Sequence, residues 1–393
     1  MSVKAIPART LWLLSTCAFA SMASMRVCDA LLPALAFEFS TTSGQAARVI
    51  SAFALAYGVL QLFYGPLGDR YGKVRVIGLA TLACALGSVG AALSSSLNWL
   101  IASRVLSGVA AAGIIPLTMA WIGDNVPYEG RQEVLAQLLG ATVLGMIAGQ
   151  WLGGLVADTL GWRTAFVMLA LMFLASGLLI VSSGGHLPLQ SPGPVAGISH
   201  RTGNVLTNPW ARVVLAITFL EGALAFSALA FIPSHLHTRF GLPMSTAGGI
   251  VALYGVGGLV YSRCARALVR QLGEAPLARL GGVCMAFAFG ALAWAPSWPW
   301  ALPACLLAGF GFYALHNTLQ TNATQMAPAA RGTAVSLFAC CLFLGQSLGM
   351  LVAAWIVDRF SAVFVFAFSA LGLLLLGGLF ATLTARHLTL KEL

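Results

Sequence analysis

The sequence predicts an all-α membrane protein of twelve transmembrane helices built as two parallel six-helix repeats, and three observations carry that prediction. Of 393 residues, 59% are hydrophobic and only 8% are charged, against about 25% charged in an ordinary soluble domain. The apolar residues gather into twelve segments of bilayer length. The second half then repeats the first at an offset of 200 residues: Pro33 matches Pro233, Ile50 matches Ile250, Gly58 matches Gly258, Arg131 matches Arg331, Gly145 matches Gly345, Gly149 matches Gly349, Asp158 matches Asp358 and Phe166 matches Phe366. One register held that long exceeds chance apolar similarity. It implies two repeats related by an axis along the membrane normal.

The first apolar segment runs from Leu11 to Phe37, behind Lys4 and Arg9. Its small residues near Ala20 to Ala23 mimic a secretory signal, but eleven spans follow, so it reads as an uncleaved first helix. Five more segments span Val49 to Tyr64, Val74 to Leu93, Trp99 to Ile122, Leu135 to Val156 and Trp162 to Val181. The stretch from Ser182 to Ala211, rich in Gly, Pro and Ser, reads as a tether. Six segments follow, from Val213 to Pro233, Pro243 to Tyr261, Leu277 to Trp294, Trp300 to Leu319, Gly332 to Val357 and Val363 to Leu383. The expected organisation is therefore a bundle over 1–183, a linker over 184–211 and a second bundle over 212–393.

The basic residues sort by side. The termini and the loops that would share their side hold Lys4, Arg9, Arg70, Lys73, Arg75, Arg131, Arg201, Arg212, Arg263, Arg266, Arg270, Arg279, Arg331, Arg386 and Lys391, whereas the opposite loops hold only Arg48, Arg163, Arg239 and Arg359. Fifteen against four places both termini and the linker in the cytoplasm. Topology thus accounts for the net charge of +10 better than a nucleic-acid partner does. Seven of the eight cysteines lie in apolar stretches, Cys264 excepted, with no disulfide or metal-ligand spacing. His235 and His237 stand at a helix end with no third ligand nearby and read as solvated or interfacial. No nucleotide-binding loop, zinc-protease motif or nucleophile elbow sits on a suitable element, so the reading is not an enzyme.

Between the second and third segments lies Gly65-Pro66-Leu67-Gly68-Asp69-Arg70-Tyr71-Gly72-Lys73-Val74-Arg75, which reads as a short polar loop. It resembles G-x-L-x-D-R-x-G-R-K, the signature between the second and third helices of the major facilitator superfamily, with Lys73 as a conservative replacement and the last base moved to Arg75. The resemblance covers almost the whole chain. It implies that fold, a transport function, and a gating network of Gly65, Asp69, Arg70, Gly72, Lys73, Asp124, Arg131 and Arg331. Asp69 is expected to cap the eleventh helix near Gly332 in the outward-facing state.

Asp29 lies about two-thirds along the first segment, three residues after Arg26 and on nearly the same face. An acid at that depth costs roughly 2.5–3.5 kcal/mol even on mild insertion scales, so it must face a cavity or a partner. The stretch Asp29-Ala-Leu-Leu-Pro33-Ala34 resembles the Asp-x-x-x-Pro-Ala element of twelve-span drug:proton antiporters, the branch with the sugar-efflux permeases that the chain as a whole resembles, which implies a titrating role for Asp29. A permanent Arg26–Asp29 structural pair is the alternative. Arg104 in Arg104-Val-Leu-Ser-Gly108 resembles the fourth-helix R-x-x-x-G motif tied to proton transfer, and an always-charged guanidinium there would bias Asp29 or bind an anion. A snorkelling Arg104 is the competing reading.

The fifth segment carries Gly140, Gly145, Gly149, Gly153 and Gly154, a spacing that permits close helix packing. Gly145-x-x-x-Gly149-Gln150-x-x-Gly153-Gly154 also resembles the antiporter motif G-x-x-x-G-P-x-x-G-G, with Gln150 in place of proline. That resemblance implies export. In the second half, Glu221 is a second protonation candidate or a structural acid, and His316, Asn317 and Gln320 are cavity candidates or an interhelical lock, with Arg26 of the first half a further cavity candidate. The expected function is proton-coupled export of a small organic molecule, drug-like in the first reading. Alternatives are export of an endogenous sugar or amino-acid derivative, proton-driven uptake, a membrane sensor without transport, and, least favoured, an intramembrane enzyme. Expected partners are the substrate and the bilayer, with no nucleic acid, no metal and no cofactor beyond a proton gradient, in a monomer at the bacterial inner membrane.

Overall fold

A computed structural model describes residues 8–183, 202, 203 and 205–392, so most of the expected linker lies outside the described residues. Twelve helices long and apolar enough to cross a bilayer are found among them: α1 Arg9–Ala30, α2 Ser43–Tyr71, α3 Lys73–Ala92, α4 Leu97–Asn125, α5 Glu133–Thr159, α6 Trp162–Ser182, α7 Pro209–Phe240, α8 Met244–Leu272, α9 Glu274–Trp294, α10 Trp298–Gln325, α11 Arg331–Arg359 and α12 Ala362–His387. No strand occurs among the described residues. Large apolar side chains such as Leu171, Phe287, Trp355 and Leu375 remain exposed on the perimeter. A bilayer is the solvent that makes such a surface stable.

The repeat seen in the sequence is a repeat of contacts. In the first half α1 packs on α5, α3 on α6 and α2 on α4; in the second α7 packs on α11, α9 on α12 and α8 on α10. Glycine sets the closest approaches. A Cβ on Gly145, Gly149 or Gly153 would collide with the backbone of Phe19, Ala23 or Val27 on α1, and one on Gly345 or Gly349 would meet Phe219 or Ala223 on α7. Gly140, by contrast, faces open space.

The halves meet through α5 against α8 and α2 against α11. At the end opposite the termini, two aspartates tie them together. Asp158, at the foot of α5, accepts hydrogen bonds from the Met244 and Ser245 amides (3.2 and 2.7 Å), which open α8. Its repeat partner Asp358 accepts from the Gly44 amide (2.9 Å) and the Thr42 hydroxyl (2.7 Å), which open α2. Each half thus caps a helix N-terminus of the other with a carboxylate. Ser51 and Ser347 add reciprocal side-chain-to-backbone bonds of 2.9 and 3.0 Å across the seam.

Two expectations change in shape. The polar loop over 65–75 is helical apart from Gly72: α2 runs through Tyr71 despite Pro66, and Gly72, at φ 87°, makes the whole turn into α3. The first segment does not cross as one helix, for a reason that bears on the site.

Candidate functional site

Proline shapes both helices that carry the buried charges of the first half. Pro33 has no N–H to offer the Asp29 carbonyl four residues back, so the α-helical ladder fails there. Residues Val27–Ala30 tighten into a 3-10 turn, with Leu31 N–H donating to the Cys28 carbonyl at 3.1 Å, before a short helix resumes over Leu32–Glu38. Pro116 acts alike in α4, which breaks between segments Leu97–Ala111 and Ile114–Asn125. Tyr64 fills the break and donates to the Val109 carbonyl at 3.0 Å.

Asp29 is fully buried in that turn. Its Oδ2 takes a 3.4 Å contact from Arg26 Nη1, the pair expected from the three-residue spacing. Its Oδ1 has no hydrogen-bond partner, and the Gln150 side chain, whose Nε2 is likewise unpartnered, faces the carboxylate. The residue that replaces the motif proline therefore stands beside the buried acid, which sequence reasoning missed. Arg104, also buried, donates to the Ser24 hydroxyl (3.1 Å) and carbonyl (2.8 Å) on α1, and its guanidinium lies 4.2 Å over the Phe53 ring. It is neither snorkelling nor paired directly with Asp29; it braces α1 at Ser24, five residues before the acid.

Arg26 reaches across the seam. Its guanidinium rests 4.3 Å over the ring of Phe226, the residue at the same position of the second repeat. Together they line a cavity of about 150 Å³ between the halves, with Met22, Met146, Phe312 and His316. His316 Nδ1 lies 2.9 Å from Glu221 Oε2 while Glu221 Oε1 is unpartnered, so the two candidates of the second half form one pair. The imidazole stacks on Phe312 at 4.9 Å. Asn317 and Gln320 lie outside the cavity lining: Asn317 engages Tyr261 on α8, the interhelical-lock alternative, and Gln320 is exposed.

The remaining residues distribute as follows. Lys73, at the start of α3, bridges Asp69 (2.9 Å) and Asp124 (2.7 Å). Arg131 closes the C-terminal end of α4 by donating to the Gly123 (2.7 Å) and Val126 (3.1 Å) carbonyls. Arg70 is exposed against Tyr71, Arg331 is exposed at the start of α11, and a Cβ on Gly65 would meet nothing. The expected Asp69 cap on α11 is not made in this conformation, in which the named bonds between halves gather at the opposite end. Gly154 packs on the Met244 backbone, so the glycine motif serves the seam with α8 as well as α1. His235 corrects its reading outright: it is buried between Phe366 (5.0 Å) and Phe240 (6.4 Å), whereas His237 is exposed and bonds the Leu242 carbonyl.

Ionisable pairs at the seam of two pseudo-symmetric six-helix bundles, around a cavity at their contact, define a membrane solute transporter. A family model described as Major Facilitator Superfamily matches residues 14–350, and the chain belongs to that family. It is 30% identical over 153 residues to the multidrug export protein EmrB of Escherichia coli K12, covering 39% of this chain and 30% of EmrB. It is 34% identical over 136 residues to the multi-drug resistance efflux pump PmrA of Streptococcus pneumoniae serotype 4, covering 34% of each. These matches span about a third of each relative's length. The nucleoside transporter NupG (D323A mutant) superposes with a TM-score of 0.81 at 14% identity, over 95% of this chain and 99% of that one, a likeness of fold alone.

Proposed function

We propose that this transporter is a proton-coupled antiporter that exports a small organic molecule across the bacterial inner membrane, as a monomer with both termini in the cytoplasm. The observation that carries the reading is Asp29: a fully buried carboxylate with one oxygen on Arg26 and the other unpartnered, beside the inter-half cavity. A proton on Asp29 releases Arg26 from its pair, and substrate and proton then compete for one charge balance. With the aspartate clasps closed on the outer side, the conformation described is the inward-facing one. There Asp29 gives up its proton and substrate binds; outward, protonation expels it. No cofactor is required beyond the proton gradient. Methionine and aromatic lining at Met22, Met146, Phe226 and Phe312 suits adaptable binding of an amphipathic molecule, in keeping with the efflux relatives. The buried Glu221–His316 pair supports a second reading, a defined endogenous substrate hydrogen-bonded at that end.

The test is proton release from purified protein, followed with a pH dye, as candidate drugs, sugars and amino-acid derivatives are added to wild type and Asp29→Asn. Release that disappears in D29N supports coupling at Asp29, and the active compounds separate the two substrate readings. A D29N protein that still exchanges substrate for protons stoichiometrically refutes the assignment.

A further inference from the structure

We infer that the end of the molecule opposite the termini holds a second ligand site, separate from the central cavity, which takes a small oxyanion that also carries a hydroxyl. A cavity of about 350 Å³ lies there, lined by Ser43 of the first half and by Ser234, His235, Arg239, Ser361 and Ala362 of the second. Its volume falls within the range of metabolite pockets.

The repeat shows why the space exists. In the first half the equivalent region is filled: Trp162 packs on Phe39 and Phe166 at 5.7 and 6.0 Å, and Arg163 lies 4.3 Å over that indole. Arg163 also pairs with Glu38 at 2.7 Å and donates to the Ser94 carbonyl at 3.0 Å. At an offset of 200, Trp162, Arg163 and Glu38 become Ala362, Val363 and Thr238, while Leu35 and Phe39 become His235 and Arg239. The second half has lost the indole, the guanidinium and the acid that neutralised it. It has gained an imidazole and a guanidinium from α7.

Neither group has an acidic partner among the described residues. Arg239, exposed at the mouth of the cavity, donates through Nη1 to the Ala293 carbonyl at 2.9 Å and lies 5.2 Å from the centre of the Phe240 ring, which orients the side chain, and no acid among the described residues forms an ion pair with it. His235 is 6% exposed; its Nε2 is buried without a hydrogen-bond partner, while the ring is also engaged with the Leu292 backbone. A guanidinium fork suits a carboxylate or phosphate, and the serine hydroxyls add donors. A ligand hydroxyl would satisfy the imidazole nitrogen, so hydroxycarboxylates and glycerol phosphates fit, whether free or as a phospholipid headgroup. Ser43 sits between Thr42 and Gly44, the two residues that hold Asp358. A bound anion therefore spans both halves and favours the conformation closed at this end. Only the statement that this end faces outward rests on the function proposed above.

The test uses the full chain in phosphatidylcholine nanodiscs, titrated with glycerol 3-phosphate, lactate and propionate and read by thermal stability. Saturable stabilisation of the wild type is expected, stronger with lactate than propionate, with apparent affinity at least tenfold weaker in Arg239→Gln. Ala362→Trp, which restores the indole the first half tolerates, should abolish the response, and His235→Phe should erase the preference for lactate. If the headgroup is the natural source, wild type in phosphatidylglycerol nanodiscs is already stabilised and deaf to soluble anions, while A362W gains nothing from that lipid. No response of the wild type in either lipid, or an undiminished response in R239Q, overturns the site. Proton release at the central cavity persists in R239Q and A362W, so failure here and failure of the transport reading are distinguishable.

Discussion

Replacing Asp158 and Asp358 by asparagine, singly and together, should open the end of the molecule opposite the termini. Each carboxylate accepts two hydrogen bonds from the first residues of a helix in the other half. Hydrogen bonds to a charged group contribute about 1.5–3 kcal/mol, and the charge at a helix N-terminus adds about 0.3–1 kcal/mol. Asparagine keeps one acceptor oxygen and remains a fair cap, so part of this survives. A net loss of about 1–2 kcal/mol per site follows, or roughly 5–30-fold in the closed-to-open equilibrium, and about 2–4 kcal/mol for the pair if the sites act independently. The repeat supplies reporters: Leu160 and Phe360, equivalent and exposed, immediately follow α5 and α11 in opposite halves. Spin labels at both, with the partly exposed Cys264, Cys284 and Cys341 removed, should give one dominant distance in the parent. A longer distance should gain population in each single variant and dominate in the double. A double variant with the parent's distribution would refute the idea that the two carboxylates hold this end shut.

Three further outcomes follow from the site. Gly149→Leu drives a side chain into the Ala23 backbone, which should cost about 1–3 kcal/mol or more through overpacking, whereas Gly140→Ala, in open space, should leave thermal stability unchanged; equal effects would contradict the packing. His316→Phe keeps the stack on Phe312 but strips Glu221 of its partner, a cost of about 1–3 kcal/mol, while Glu221→Gln retains a hydrogen-bonding group opposite the imidazole. H316F should therefore melt lower than E221Q, and the reverse order would mean that the pair is not held as described. Lys73→Met removes two ion pairs to acids that are themselves partly or largely exposed, worth about 0–1 kcal/mol each, so folding should survive; transport rate should fall with substrate affinity unchanged, and an unaltered rate argues against a gating role.

What was legible in the sequence was whatever recurs along one helix or at a fixed offset. The spans follow from apolar runs, the repeat from the 200-residue register, the Arg26–Asp29 pair from a three-residue spacing, and the α1–α5 approach from the glycine stripe. The break in α1 was legible too, since Pro33 removes the bond to Asp29, yet a long apolar run hid it. The rest lies between helices distant in sequence. Gln150 against Asp29, Glu221 against His316 and Asp158 against the start of α8 each depend on helix rotation and register. Periodicity along one helix does not specify these. His235 was misread because residue type near a helix end suggested water, whereas the two aromatic rings that enclose it come from α7 and α12.

The internal repeat offers a way to tell machinery from ligand chemistry without any second sequence. A rocking motion about a pseudo-two-fold axis makes equal mechanical demands on both halves, so residues that serve it should occur twice. Asp158 and Asp358 do, each accepting from the amide of the matched residues Met244 and Gly44 at a helix start in the other half, and so do Gly145 and Gly345, Gly149 and Gly349 in the same helix contacts. A solute lacks that symmetry, and residues that read it should differ between halves. Arg26 faces Phe226, its own counterpart, across the seam; Asp29 corresponds to Leu229; Glu221 and His316 correspond to Ser21 and Pro116. The cavity at the end opposite the termini follows the same rule, because it opens where Trp162, Arg163 and Glu38 have no equivalents. Asymmetry at matched positions thus picks out both pockets from the sequence register together with one set of contacts. It also ranks substitutions: changes at duplicated positions should alter rates of interconversion, and changes at unduplicated ones should alter which solutes bind. A duplicated residue whose replacement changed substrate preference but not conformational exchange would break the rule.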